Sequence, residues 1–270
     1  MLKHIRNLFS SAQAPGPGVL APPTRVPAGQ RVYAIGDIHG RLDLFETIIA
    51  MIDADDAARD PAETTVILLG DLVDRGPASA GVIAAARTWA GRRTVRCLAG
   101  NHEEMFLASI TDEGTLRHFL RYGGRETLLS YPITPEEYGP ATLRELQELM
   151  RERIPARDIE FLLGMEDLIR IGDYVFVHAG IRADAALEDQ TTGDLRWIRG
   201  EFFDDPTPRD FAVVHGHTIS SAPELSPHRI GIDTGAFASG CLTAIGLQGT
   251  DRWLIVAQGD SDGRHGAEFA

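Results

Sequence analysis

Three short apolar runs, separated by stretches with helical spacing, constrain the fold of this chain more than any other feature. The runs cover residues 32–35, 66–69 and 94–98, and a glycine follows each within two residues. Between the first two runs, apolar residues from Leu42 to Ile52 recur with the period of an amphipathic helix. This strand–helix alternation predicts an α/β fold with a parallel sheet and right-handed crossovers.

Each of the three runs ends in side chains that carry chemistry. The turns read Gly36-Asp37-Ile38-His39-Gly40, Gly70-Asp71-Leu72-Val73-Asp74-Arg75-Gly76 and Gly100-Asn101-His102-Glu103. Two later apolar runs end at His178 and at His215-Gly216-His217. Because the carboxyl ends of parallel strands meet at one edge of a sheet, these side chains are expected to converge there. A single Asp or Asn in a turn means little, but five such strand ends indicate a functional site.

The rest of the chain divides by composition. Residues 1–29 are rich in Pro, Gly, Ala and Ser and predict a flexible N-terminal tail. Residues 30–258 form one domain, interrupted at about 103–170 by helical patterns that predict an inserted helical segment. The polar residues 259–270 predict a disordered C-terminal tail.

The composition excludes several classes of protein. A formal net charge of −13 argues against a nucleic-acid partner, which would require a basic face. Lys3 is the only lysine, so a Walker motif and a Schiff-base lysine are both excluded. Cys97 and Cys241 are too few for a disulfide scaffold, which predicts a reducing, cytoplasmic location. No apolar run approaches the roughly 20 residues that cross a bilayer, so no membrane partner is expected.

The residues at the strand ends form a plausible set of metal ligands. Asp37 and His39 stand two residues apart on extended backbone, so both side chains can bind one ion. Asp71 can share its carboxylate between that ion and a second one. The second ion would draw its other ligands from Asn101, His178 and either His215 or His217. Such a mixed oxygen and nitrogen set suits two divalent ions such as Mn²⁺, Fe or Zn²⁺, and is too nitrogen-rich for Ca²⁺ or Mg²⁺ alone.

The charge of this site predicts an anionic substrate. Two divalent ions, the carboxylates of Asp37 and Asp71 and a bridging hydroxide leave a net charge of about +1, which matches a phosphate. Arg75, four residues after Asp71, can bind that phosphate through its two-pronged guanidinium. His102 is placed to protonate the leaving oxygen, and Asp74 could orient it.

As a set, these motifs resemble the signature of the metallophosphoesterases, and more narrowly of the phosphoprotein phosphatase family. The three turns stand in the family's order with its usual gaps, and His178-Ala179-Gly180 and Gly216-His217-Thr218 complete the set. The resemblance implies a calcineurin-like metallophosphoesterase fold, in which helices flank a central β-sandwich. It replaces the single parallel sheet with two sheets and assigns the late strands to the second.

The resemblance also implies a role for each residue of the site. The first metal is held by Asp37, His39 and Asp71. The second is held by Asp71, Asn101, His178 and His217. The general acid and its partner are His102 and Asp74. The phosphate is bound by Arg75 and Arg199. His215 is then expected to pack beside the site or to support it.

The function implied is hydrolysis of a phosphoester. Residues 231–236 and Ala179 resemble the corresponding residues in the bacterial branch of the phosphoprotein phosphatase family. That branch includes lambda-type protein phosphatases and symmetrical diadenosine tetraphosphate hydrolases. The first interpretation is a serine/threonine phosphoprotein phosphatase with metal-bridging hydroxide; dual specificity is left open. The alternative is a symmetrical bis(5'-nucleosyl)-tetraphosphatase, and a third is a non-catalytic binding module. A dinucleotide needs stacking aromatics, and Phe106, Tyr122 and Tyr131 in the insertion could serve either substrate.

Overall fold

The architecture is that of a computed structural model, which describes residues 24–205, 207 and 209–259. Most of the two predicted tails, residues 1–23 and 260–270, lies outside the described residues. Residues 24–29, which the sequence analysis assigned to the N-terminal tail, lie against the fold. The side chain of Val26 is buried, and its backbone N–H donates to the carbonyl of Gly249 at 2.9 Å.

Two five-stranded sheets form the centre of the fold. In chain order the strands are β1 Gln30–Ile35, β2 Glu63–Leu68, β3 Val95–Cys97, β4 Leu168–Ile171, β5 Tyr174–Val177, β6 Ala212–His215, β7 Glu224–Leu225, β8 Arg229–Gly231, β9 Cys241–Gln248 and β10 Asp251–Gln258. The first sheet has the order β10-β9-β1-β2-β3, and the second has the order β4-β5-β6-β8-β7. Strands β1, β2 and β3 run parallel, as do β5, β6 and β8.

The two-residue period of β1 explains why the sheets stack. Val32 and Ala34 face the second sheet and pack with residues such as Phe176. Tyr33 and Ile35 point to the opposite face and pack under the first two helices. Since both faces of the strand are covered, the run is apolar throughout. The β-sandwich and the calcineurin-like fold are thereby confirmed, and the single parallel sheet first predicted from the strand–helix order is wrong.

The assignment of all late strands to the second sheet is also wrong. Strands β9 and β10 form a hairpin that joins the first sheet, with β9 antiparallel to β1. Residues 249–250 connect them, and Gly249 has a φ of 54°, which a glycine adopts without steric cost. The hairpin covers the edge of β1 that would otherwise expose unpaired backbone groups.

The helices flank the sandwich and fill the segment between β3 and β4. They are α1 Leu42–Ala57, α2 Ser79–Ala90, α3 Asn101–Ser109, α4 Glu113–Phe119, α5 Arg125–Ser130, α6 Pro135–Tyr138, α7 Leu143–Arg153, α8 Ala156–Leu163, α9 Thr192–Trp197, α10 Gly200–Phe203 and α11 Ala236–Ser239. Helices α3 to α8 share an apolar core of their own, which includes Phe106, Phe119 and Met150. A π-helical turn, Leu120–Gly124, joins α4 to α5. Within the described residues, no helix has the length and apolar character that a membrane span requires.

Candidate metal and phosphate site

The loops after β1, β2, β3, β5 and β6 meet at one edge of the sandwich. They bring together the six residues expected to bind metal: Asp37, His39, Asp71, Asn101, His178 and His217. Each of these side chains is at most 6% exposed. Buried polar and charged groups at this density are costly unless they bind each other or a cation.

The backbone at this edge is strained. Among the described residues, the non-glycine residues with a positive φ are His39, Asp71, Asp74, Arg75 and His217. All five are residues to which the sequence analysis gave a role. Left-handed backbone of this kind is retained where the surrounding structure enforces it, and it concentrates at functional sites. The strain is therefore an observation, independent of the motifs, that marks this edge as the site.

Asp71, His178 and His217 place three ligand atoms within 4.8 Å of one another. Burial lowers the pKa of His178, so its ring is neutral and carries a single N–H. Its Nδ1 lies 2.8 Å from the carbonyl of Leu69 and takes that proton as a donor. The lone pair of Nε2 then faces the Oδ1 atom of Asn101 at 3.1 Å. Two acceptors this close are stabilised by a cation between them.

His217 completes this group. Its Nδ1 atom is 3.0 Å from the same Asn101 oxygen, and its Nε2 atom is buried without a hydrogen-bond partner. Burial lowers the pKa of His217 to about 2. A neutral imidazole in the same buried cluster as the Asp71 carboxylate, the His178 ring and the Asn101 oxygen has the chemistry of a metal ligand.

A second group of ligand atoms within 4.8 Å consists of His39, Asp71 and His102. The Nδ1 atom of His39 lies 2.8 Å from the carbonyl of Val73, so Nε2 carries the lone pair that can bind an ion; in this structure that atom faces the Arg75 guanidinium at 3.0 Å. Burial, followed by the charge of Arg75, lowers the pKa of His39. His102 thus lies with His39 and Asp71, two of the residues that the resemblance assigns, with Asp37, to the first metal.

Asp37 lies within electrostatic reach of Asp71 and Asp233. Its carboxylate accepts hydrogen bonds from the backbone N–H of His217 at 3.0 and 3.2 Å. Burial and the neighbouring carboxylates of Asp233 and Asp71 raise the pKa of Asp37. Burial also raises the pKa of Asp233 to about 6. Three buried carboxylates in mutual repulsion would be relieved by a cation, so the donor set fits divalent metal ions.

His102 and Asp74 form a buried pair. The Nδ1 atom of His102 lies 2.6 Å from Oδ2 of Asp74. Burial lowers the pKa of His102, but the carboxylates of Asp71 and Asp74 outweigh it and hold the pKa above its usual value. The Thr127 hydroxyl donates to the other Asp74 oxygen at 2.6 Å, and the Asp74 backbone N–H donates to Thr127 and Ser79 at 2.8 and 3.0 Å. The insertion therefore fixes Asp74 in place.

The two arginines lie at different depths. The Arg75 guanidinium is within 3.0 Å of Nε2 of both His39 and His102, and its carbon lies 4.7 Å from the ring centroid of Phe237. The backbone N–H of Arg75 donates to the carbonyl of Gly123 in the π-helical turn. Arg199 is exposed, and its positive charge contributes to the lowered pKa values of His178 and His217. Arg199 therefore lies within electrostatic reach of the site.

Glu103 has a structural role that the sequence analysis did not assign. Its buried carboxylate accepts four backbone hydrogen bonds, from the N–H groups of Asp71, Leu72, Val73 and Gly100 at 2.7–3.3 Å. Burial and the charge of Asp71 raise the pKa of Glu103 to about 7. In the sequence, the only indication that Glu103 supports the site was its position in the motif Gly100-Asn101-His102-Glu103. Asp233, in the Asp-Thr-Gly turn before α11, was also left without a role.

His215 lies outside the two groups of ligand atoms. Its Nδ1 atom faces the carbonyl of Gly216, and its ring packs edge-on against Phe202 and Phe203. Burial lowers the pKa of His215 to about 4. It therefore packs beside the site, and the structure groups His217 with the ligand atoms instead.

The three aromatic residues proposed for nucleotide stacking differ in access. Phe106 and Tyr131 are buried in the core of the insertion, at 0% and 6% exposure, so neither can contact a substrate. Tyr122 is 43% exposed and packs against His118. The expectation that all three could contact a substrate is therefore wrong for Phe106 and Tyr131.

A dense set of histidine and aspartate ligands at the edge of a β-sandwich, with arginines beside it, defines a metal-dependent phosphoester hydrolase. The chain belongs to the calcineurin-like phosphoesterase family, whose sequence profile matches residues 30–238. This confirms the predicted enzyme class and the metallophosphoesterase resemblance.

The chain is similar to two kinds of curated tetraphosphatase. The symmetrical bis(5'-nucleosyl)-tetraphosphatase of Acidovorax ebreus (strain TPSY) is 31% identical over 226 residues, which cover 83% of this chain and 63% of the relative. The chain thus spans less than two thirds of that relative's length. The asymmetrical bis(5'-nucleosyl)-tetraphosphatase PrpE of Bacillus velezensis is 28% identical over 231 residues, covering 77% of this chain and 86% of the relative.

Among solved structures, a cold-active protein tyrosine phosphatase shares the fold. It superposes with a TM-score of 0.54 at 18% identity, covering 85% of this chain and 81% of that one. This likeness supports the fold alone.

Proposed function

We propose that this protein hydrolyses dinucleoside tetraphosphates. The observation that carries the proposal is that relatives named bis(5'-nucleosyl)-tetraphosphatase align with most of this chain, one of them at 31% identity. Their names favour the alternative of the sequence analysis over the phosphoprotein phosphatase that it put first. The reaction adds water across a P–O–P bond, so one phosphorus gains a hydroxyl and the other leaves as a phosphate.

The donor set supports binding of two divalent ions. Asp37, His39 and Asp71 would hold one ion, with His102 close by. The other would be held by Asp71, Asn101, His178 and His217. Bound there, the ions supply Lewis acidity to the phosphate and activate a water molecule. Manganese is the ion we would test first, because the set mixes nitrogen and oxygen donors.

The other site residues bind the phosphate and move a proton. Arg75, held between two imidazoles and the ring of Phe237, would bind the phosphate under attack. Arg199, exposed at the rim, would bind the adjoining phosphate of the chain. The Nε2 atom of His102 would donate a proton to the leaving oxygen, while Asp74 holds Nδ1 and keeps the ring oriented.

A direct comparison of substrates tests this function. Purified protein with Mn²⁺ is given diadenosine tetraphosphate in one assay and a phosphoserine peptide in another. We expect the higher kcat/KM on the dinucleotide. A higher kcat/KM on the peptide would overturn the proposal and restore the phosphoprotein phosphatase.

The products of the same assay distinguish the two kinds of tetraphosphatase. Two molecules of ADP would indicate symmetrical cleavage, and AMP with ATP would indicate asymmetrical cleavage. We expect ADP, because the symmetrical relative is the more similar of the two that we compare, at 31% against 28% identity.

A further inference from the structure

An open cleft of about 430 Å³ lies beside the metal and phosphate site. It is lined by Glu104, Met105, Ala108, Asp112, Gly114, Thr115, His118 and Trp197. We call it the Trp197 cleft. Its volume falls in the lower part of the range typical of small-molecule sites. None of its lining residues was assigned a role by the motifs at the strand ends.

The cleft continues from the site along helix α3. Asn101 begins this helix, and Glu104, Met105 and Ala108 follow at spacings of three, four and seven residues. Residues at these spacings share one face of a helix. The face that presents Asn101 to the ligand cluster therefore also forms the floor of the cleft. At 1.5 Å per residue, Ala108 lies about 10 Å along the helix from Asn101.

The opposite wall is fixed to the same site. Trp197 ends α9, and the preceding Arg196 donates to Glu104 at 3.1 Å and pairs with Asp167 at 2.6 Å. The first of these ion pairs ties the end of α9 to α3, so the position of Trp197 relative to the floor of the cleft is fixed. Arg199 follows Trp197 by two residues and acts electrostatically on the metal-site histidines. One short segment therefore carries both the wall of the cleft and an arginine at the phosphate site.

The chemistry of the cleft selects its occupant. The indole of Trp197 is 38% exposed, and an exposed aromatic face is a stacking surface for a nucleobase. Glu104 gives its Oε2 atom to Arg196, and Asp112 gives its Oδ2 atom to the Thr115 N–H at the start of α4. The second oxygen of each carboxylate repels a phosphate but can accept a hydrogen bond from an amino group, such as the exocyclic amine of adenine. Phosphates are therefore expected at the arginines and metal ligands, and an uncharged aromatic group in the cleft.

We propose that the Trp197 cleft binds one adenosine of a dinucleoside polyphosphate whose phosphate chain lies at the metal and phosphate site. The proposal rests on the proposed function and adds a determinant of substrate specificity to it. Trp197 acts as a binding residue that recognises the nucleoside and takes no part in bond cleavage.

The first test compares two substrates on Trp197→Ala. For diadenosine tetraphosphate, loss of one stacked base should raise KM by roughly tenfold. For p-nitrophenyl phosphate, which has no nucleoside, kcat/KM should stay at the wild-type value. Trp197→Phe should keep most of the affinity, since its ring can still stack. Met51→Ala, at an equally exposed position on α1 (38%, as for Trp197), is the control and should change neither substrate.

The second test needs no turnover. Adenosine alone should quench the fluorescence of the wild-type protein, which has three tryptophans, and should not quench that of Trp197→Phe. If diadenosine tetraphosphate is hydrolysed but adenosine fails to bind and Trp197→Ala has a wild-type KM, the cleft proposal is refuted and the proposed function stands. If adenosine quenches Trp197 but the tetraphosphate is not cleaved, the function fails and the nucleoside site survives. An equal loss on both substrates would show that Trp197 is only structural.

Discussion

Replacing Glu103 by glutamine would test how the loop that carries Asp71 is held. The Oε1 atom of Glu103 accepts from the N–H groups of Leu72 and Val73, and Oε2 accepts from those of Asp71 and Gly100. Glutamine has nearly the same shape, but one of these oxygens becomes an NH₂ group. Whichever way the amide turns, two buried backbone donors then face a donor.

The size of the effect follows from these contacts. A hydrogen bond to a charged acceptor contributes about 1.5–3 kcal/mol, so loss of two should lower the free energy of unfolding by about 3–6 kcal/mol. Domains of this kind are stable by only about 5–15 kcal/mol, so the change is large. Asp71, whose φ is 50°, should also lose its fixed position, and affinity for Mn²⁺ should fall with it.

Urea denaturation at pH 8, where the Glu103 carboxyl is ionised, measures the first effect, and calorimetric titration with Mn²⁺ measures the second. Glu148→Gln is the matched control, because Glu148 is 54% exposed and forms a surface ion pair with Arg144 on one helix face. Such a surface pair contributes at most about 1 kcal/mol. Stability of Glu103→Gln within 1 kcal/mol of wild type, with unchanged Mn²⁺ affinity, would show that the four bonds do not hold the loop.

Three further substitutions test separate parts of the site. Asp71→Asn should reduce bound Mn²⁺ from two ions per chain to at most one, measured by elemental analysis; retention of two would exclude a bridging role. His102→Asn should retain both ions but lower kcat on a phosphoserine peptide by about 10²–10⁴, and less on p-nitrophenyl phosphate, whose leaving group needs no proton. Equal losses on the two substrates would contradict its role as the acid. Phe237→Leu should remove the aromatic contact to Arg75, which contributes about 0.5–1 kcal/mol, and so raise KM for p-nitrophenyl phosphate about 2–5-fold. An unchanged KM would show that Phe237 does not position Arg75.

The sequence was sufficient to predict which residues meet at the edge of the sandwich, because each stands directly after an apolar run. It was not sufficient to assign every strand to a sheet. The runs that became β9 and β10 pair with each other and then with β1, and their partner is decided by which edge remains uncovered. That choice depends on tertiary packing and leaves no local pattern in the chain.

The supporting contacts of the site were also beyond the sequence. Glu103 binds the backbone of Asp71, Leu72 and Val73, which lie 30–32 positions earlier in the chain. Thr127 binds Asp74, which lies 53 positions earlier. Polar residues in helices are most simply interpreted as a solvated face. Only the fold shows that one of them is buried beneath the Asp71 loop and that the other binds Asp74.

The backbone conformation of the site explains why its sequence motifs predicted it, whereas the conformational preferences of its individual residues did not. Left-handed conformations cost about 1–3 kcal/mol for each non-glycine residue, and five residues of the site adopt them. Together this is comparable to the whole stability of a domain. Contacts from elsewhere must offset it, and the Glu103 carboxylate and the Gly123 carbonyl bound to the Arg75 N–H are two such contacts. Since these partners come from α3 and from the turn before α5, the insertion helps to fold the site as well as to border it.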